Sequence, residues 1–255
     1  PFRNPQEFTA KKISYTRHFT KKSKVGAPAG WEGMILPFDV QTITSETKGL
    51  LAPFEKSNLT STRPFWMARW QTSSEWFTRS TVFAANEPFI IAMPNSDEYD
   101  ESFNIEGDVI FYSLNTKVHT TDLQSEDGNF SLNGCYESVP SSSQIYALND
   151  EEYTAPRGGG VFMPGGAFVA NSRDIRPFEA YIYNAQLATT RRYIPVQGGG
   201  IATGIDRIML KEGKQCVDVY TLQGIMVKHQ IPVEDQEKDL PKGIYVVDGK
   251  KFVVK

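Results

Sequence analysis

The feature that most limits the fold is a rhythm of short apolar runs. Most are five to eight residues long and bounded by Asn, Asp, Gly, Pro or Ser, and none keeps apolar residues at helical spacing over a long stretch. From Lys12 to Thr20 the period is two: Ile13, Tyr15, Arg17 and Phe19 share one face, Ser14, Thr16 and His18 the other. That alternation predicts a half-buried strand. Trp31–Val40 reads as a second strand, with Pro37 at an edge or bulge. Further strands are expected over Pro64–Trp70, Ser74–Val82, Pro88–Met93, Asp108–Ser113, Phe130–Tyr136, Gln144–Leu148, Gly160–Phe168 and Pro177–Tyr183. Leu50–Leu59 is the one expected short helix. The fold class is therefore all-β, as a β-sandwich-like larger domain with a small β-sandwich behind it.

Three adjacent glycines in "VQGGGIATGID" (Val196–Asp206) set the expected boundary, because such a run is poor strand or helix interior. Residues 1–198 form the larger domain in this reading and 199–255 the smaller. The smaller one predicts strands over Ile208–Leu210, Cys216–Thr221, Ile225–Gln230, Gly243–Val247 and Lys250–Lys255, with Asp248-Gly249 as a two-residue hairpin turn.

Charge excludes one class of partner. The formal net charge is -3 and no Arg/Lys stripe stands out, so no nucleic-acid footprint is expected. The densest positive stretch, Lys11, Lys12, Lys21, Lys22 and Lys24, reads as a solvated edge-strand face. No apolar run reaches the roughly 20 residues of a membrane-spanning helix, so no membrane span is expected. Cys135 and Cys216 fall in different expected domains and read as small buried hydrophobes, with a disulfide between them as the alternative.

The C-terminal stretch carries a resemblance. "VDVYTLQGIMVKHQ", with Val219, Tyr220, Gly224, Ile225 and Val227, precedes "LPKGIYVVDGKKFVVK", with Leu240, Gly243, Tyr245, Val246 and Val247. Together they resemble the C-terminal sorting domains of proteins exported by the type nine secretion route of anaerobic Gram-negative bacteria. In that resemblance Gly224, Gly243, Tyr245 and Gly249 shape the unit and catalyse nothing. The larger segment, through "ISYTRHF", "WEGMILPFDV", "ANEPFIIAMPN", "IEGDVIFYS", "YALND", "FMPGGAFVAN" and "RPFEAYI", resembles accessory β-domains of gut-bacterial surface proteins of the leucine-rich-repeat type. The resemblance implies a non-catalytic adhesion or spacer module of a larger protein on the bacterial outer surface. Its implied partners are the secretion machinery and a host or dietary glycan or surface protein.

Catalytic patterns are missing from the sequence. His18, His119 and His229 lie in no nucleophile–base motif and G-x-S-x-G does not occur, so no enzyme is expected. "RGGGVFMPGG" (Arg157–Gly166) opens no helix and reads as a turn entering a strand, not as a phosphate cradle. "NSDEYDE" offers Asp97, Asp100 and Glu101 as oxygen ligands for calcium, but without EF-hand spacing; no cofactor is expected, and a solvated loop is the plainer reading. The candidate ligand site is an aromatic platform of Trp66, Trp70 and Trp76. Alternation puts Trp66, Ala68 and Trp70 on one face of their strand and Phe65, Met67 and Arg69 on the other. Both faces are core only if that strand is central; otherwise one face offers sugars a flat apolar surface.

Overall fold

The computed structural model describes residues 1–123, 129–186, 190–199, 216–222, 226–232, 236–238, 240–247 and 250–254, and these are nearly all β. In chain order the strands are β1 (Phe8–His18), β2 (Glu32–Met34), β3 (Thr42–Ser45), β4 (Gly49–Pro53), β5 (Arg63–Gln71), β6 (Trp76–Arg79), β7 (Phe89–Ala92), β8 (Asp108–Val118), β9 (Ser131–Gly134) and β10 (Ile145–Leu148). They continue with β11 (Tyr153–Thr154), β12 (Val161–Phe162), β13 (Ala167–Ala170), β14 (Ala180–Tyr183), β15 (Tyr193–Pro195), β16 (Gly198–Gly199), β17 (Cys216–Thr221), β18 (Met226–Pro232), β19 (Gly243–Val247) and β20 (Lys250–Val254).

Nine strands, β1–β8 with β16, form a sheet that curls into a half-barrel. A second sheet runs β15-β13-β10-β14-β9 and packs over it. Two cores result. Between the sheets, Trp66, Ala68, Phe77, Ile90 and Ala92 meet Tyr146, Leu148, Phe168, Ala180, Ile182 and Ile194. Inside the curl lie Phe65, Met67, Phe89, Ile91, Ile43, Leu51, Val109 and Phe111, with Leu36 and Phe38. β5 and β7 thus give alternate residues to each core. β5 pairs with β4, β6 and β7, so it is a central strand, and both of its faces are buried. Each fully buried Phe or Met contributes roughly 1.5–3 kcal/mol over an exposed one.

The two sheets touch closely at Gly33, where a Cβ would lie 2.4 Å from the Ala180 carbonyl oxygen. Any other residue would push β2 off β14. Seven charged groups join the layers beside this contact. Glu32 accepts two N–H groups of Arg17, at 2.9 and 2.6 Å, and the backbone N–H of Thr20 at 3.1 Å. Glu179 pairs with Arg173 at 2.8 Å and Arg176 at 3.6 Å. Asp150 pairs with Lys21 at 2.9 Å, Arg173 at 3.0 Å and Arg176 at 2.8 Å.

Partial burial pushes the Asp150 carboxyl up, but the charges of Lys21, Arg173 and Arg176 outweigh it and hold it below the ordinary carboxylate value. A depressed folded value means that the ion pairs stabilise the fold above the unfolded pKa near 3.8 and are lost as pH falls through the folded value. Asp150→Asn is expected to lower stability by about 1–3 kcal/mol at neutral pH, with the gap to wild type closing below about pH 4. Urea melts of both proteins between pH 7 and pH 3 check this, and a gap that stays constant over that range contradicts it.

Several expectations need correction. Trp31–Val40 is not one strand: only Glu32–Met34 pairs, and the following residues dip into the curl. Leu50–Leu59 is no helix; Leu50 and Leu51 join β4, Pro53 removes a donor, and a single 3-10 turn follows at Phe54–Lys56. The run Gly160–Phe168 splits into β12 and β13 at Pro164–Gly166. There Gly165 has φ +77° and faces the Trp31 carbonyl oxygen at 2.4 Å from a built Cβ. Lys21 is no surface lysine: it is 8% exposed, held by Asp150, whereas Lys11 and Lys12 do sit on the exposed edge strand β1. The glycine run does not start as a break, because Gly198 and Gly199 pair in parallel with Phe77 and Thr78.

Behind the larger unit, β18-β17-β19-β20 form a sheet of their own around Val217, Val219, Tyr245 and Val247. Among the described residues this unit is one antiparallel sheet, not two layers. Val247 faces Lys250 in register, as the predicted two-residue turn requires. Asp248, Gly249, Gly224 and the strand expected at Ile208–Leu210 lie outside the described residues. Cys135 is buried and free; the side chain of Cys216 lies outside the described residues.

Candidate functional site

The three tryptophans do not make a platform. Trp66 is wholly buried between the sheets, its ring 5.8 Å from that of Tyr99, because β5 is central. It is thus removed from the candidate site. Trp70 is half-buried; its ring packs edge-on to Phe77 at 4.9 Å and its Nε1 donates to the Phe130 carbonyl at 2.6 Å. Trp76 alone is open, at 51% exposure, since alternation along β6 sends Phe77 to the core and Trp76 outward.

Trp70 borders a small hollow of about 350 Å³ with Arg69 and Glu87, and a larger groove lies elsewhere. A groove of about 1110 Å³ is lined by Tyr153, Arg157, Asn171, Arg191, Arg192 and Tyr193, with Ser143 and Thr190 adding hydroxyls. Its position follows from local chemistry. β11 and β12 pair Tyr153 with Phe162 and Thr154 with Val161, and the chain between them turns tightly. Pro156 opens that turn with its fixed φ, and Gly158 and Gly160 take φ +76° and +96°, where a Cβ is disfavoured. The Ala155 N–H closes the turn on the Gly160 carbonyl at 2.8 Å. β15 then alternates: Ile194 enters the inter-sheet core, and Tyr193 and Pro195 face the groove. Gly159 lets the Tyr193 ring lie on the turn, for a Cβ there would sit 2.4 Å from the Tyr193 Oη.

Three half-exposed rings therefore cluster at one edge of the groove. Tyr153 and Phe162 stack at 6.5 Å, Phe162 and Tyr193 are 5.2 Å apart, and Tyr153 and Tyr193 5.9 Å. Among the described residues the lining contains no carboxylate, histidine or cysteine. What it offers is ring faces, guanidinium N–H donors, hydroxyls and an amide. That set can bind and orient a ligand. In the sequence this site shows only as the turn glycines of Arg157–Gly166, because its parts come from segments far apart in the chain.

The remaining candidates are tied up in the fold. Asp100 caps its own turn, accepting from the Ser102 N–H at 2.9 Å and Oγ at 2.6 Å, and Glu98 accepts the Val25 N–H at 2.6 Å. Asp97 and Glu101 are exposed, and among the described residues no three metal-binding side chains converge. His18 is exposed and bonds Asp108 at 3.0 Å, and His119 bonds Glu7 at 2.9 Å. The side chain of His229 lies outside the described residues. Burial pushes the Cys135 thiol up to about 12, with the Glu179 charge adding to it, so Cys135 is no thiolate nucleophile at neutral pH. No helix among the described residues is long and apolar enough to cross a membrane. The chain matches no family model, no curated protein and no solved structure.

Proposed function

We propose that this chain is a non-catalytic binding module of an exported bacterial surface protein, and that it takes a carbohydrate in the groove beside Tyr153 and Tyr193. The observation that carries this reading is the cluster of half-exposed rings at the edge of that groove. Sugar rings present C–H faces that pack on aromatic faces, and their hydroxyls find partners in guanidinium, amide and hydroxyl groups. The groove exceeds the range of about 300–1,000 Å³ common for small-molecule sites, which suits an extended ligand. Export and surface display rest on the resemblance of the C-terminal strands to sorting domains. In this reading that sheet addresses the protein and the larger unit binds.

The test is a broad glycan array probed with the full chain, followed by titration calorimetry on any hit. Tyr153→Ala is expected to weaken binding about tenfold or more, which corresponds to about 1.4 kcal/mol. Trp76→Ala is expected to leave it unchanged. The reverse pattern would move the site to β6. A well-folded chain that binds nothing on the array would overturn the carbohydrate reading and favour a spacer or anchoring role.

A further inference from the structure

Building on the carbohydrate reading, we propose that the groove selects acidic saccharides, reading a carboxylate or sulfate with Arg157 and Arg192. The charge distribution carries the inference. The chain as a whole has a formal net charge of -3, yet among the described residues this lining holds three arginines and no acid. Arg191 already has partners: it pairs with Glu75, and its guanidinium lies 4.7 Å from the centre of the Phe130 ring. Arg157 and Arg192 are exposed and form no ion pair among the described residues. Two uncompensated guanidinium groups therefore flank the Tyr153–Phe162–Tyr193 rings.

The chemistry of guanidinium narrows the ligand. Its planar fork of N–H donors matches the paired oxygens of a carboxylate or sulfate, and a neutral sugar hydroxyl cannot engage both arms. The rings then take the adjoining sugar face, and Ser143, Asn171 and Thr190 are placed for its hydroxyls. A neutral groove would bind neutral chains as well as charged ones; this one favours the charged. An acidic polypeptide is the competing ligand, and polyglutamate, which has carboxylates but no ring or sugar face to stack, separates the two.

The backbone at Arg157 adds to the case. Its φ of 58° and ψ of 33° place it in the left-handed region, beside three glycines that would take that conformation more easily. Arg157 thus carries its guanidinium at a backbone cost, as Asn171 on the same lining carries its amide at φ 51°. It also provides a clean variant. Arg157→Gly relaxes the backbone while deleting the guanidinium, so lost binding cannot be laid to lost folding.

The experiment is calorimetric titration of the full chain with four probes: oligogalacturonate, its carboxyl-reduced neutral counterpart, a chondroitin sulfate oligosaccharide, and polyglutamate of equal charge. At least one acidic saccharide is expected to bind ten or more times tighter than the neutral chain. Arg157→Gly and Arg192→Gln should each remove most of that preference, with the Tm of Arg157→Gly equal to wild type or higher. The preference should also shrink as salt is raised. Equal affinity for acidic and neutral chains would overturn the charge selection while leaving the carbohydrate reading intact. No binding to either would end the carbohydrate reading itself. Polyglutamate binding as tightly as the acidic saccharides, or acidic binding that survives in both arginine variants, would overturn the proposal as well.

Discussion

Trp66→Ala is expected to destabilise the protein by about 3–5 kcal/mol and to lower its Tm by on the order of 10 °C. The residue has no exposure and stands at the centre of β5, between the two sheets. Truncation empties a volume walled by Tyr99, Phe77 and the facing side chains of β10 and β13, which are held by their own ladders and cannot collapse into it. Trp66→Phe is the informative companion. The indole Nε1 has no hydrogen-bond partner among the described residues, so the phenyl ring loses volume but also removes a buried donor. Its cost should therefore fall well below that of alanine. Thermal melts of the two variants decide the matter. A Trp66→Ala protein that melts with wild type would mean that the indole is not in the core. The same experiment separates fold from function: loss of ligand binding in Trp66→Ala would report unfolding, whereas loss in Tyr153→Ala at unchanged Tm reports the groove.

The strand pattern was readable because its cause is local. On β1 the alternation of Ile13, Tyr15 and Arg17 with Ser14, Thr16 and His18 is the alternation of half-buried and exposed faces, as the sequence predicts, and buried Phe19 continues it just past the strand. β5 shows where local reading stops. Phe65 and Met67 alternate with Trp66 and Ala68, but all four are apolar, so periodicity cannot say which face is wet. That depends on the neighbours β4, β6 and β7, which are matters of topology. The same holds for the groove. Tyr153, Arg157 and Tyr193 come from a ribbon, a turn and an edge strand, and nothing in their spacing brings them together. Polar residues hide most completely. Lys21 looks like its neighbours Lys22 and Lys24 in sequence, and only the fold sets it against Asp150. The tryptophans drew attention because they are rare and large, the very properties that send Trp66 to the core.

Removing the carboxylate of Glu32 is expected to cost as much as removing the Trp66 indole, about 3–5 kcal/mol for Glu32→Ala. The side chain is 4% exposed and that of its partner Arg17 is 14% exposed. Without Glu32, the Arg17 guanidinium keeps Glu179, at 4.0 Å, as a carboxylate partner and the Tyr15 hydroxyl beside it, and the backbone N–H groups of Thr20 and Lys21 lose their acceptor. Burial disfavours the Arg17 charge, and Glu32, with Tyr15 adding to it, more than offsets that, holding Arg17 above its ordinary value. The favourable balance belongs to the pair, so it should be visible as coupling. Arg17→Leu alone should also be strongly destabilising. The double variant Arg17→Leu/Glu32→Leu should be about 1–3 kcal/mol less destabilised than the sum of Arg17→Leu and Glu32→Leu, because no lone charge is left between the sheets. Urea unfolding of the four proteins closes the cycle. Strict additivity would show that the two side chains act independently.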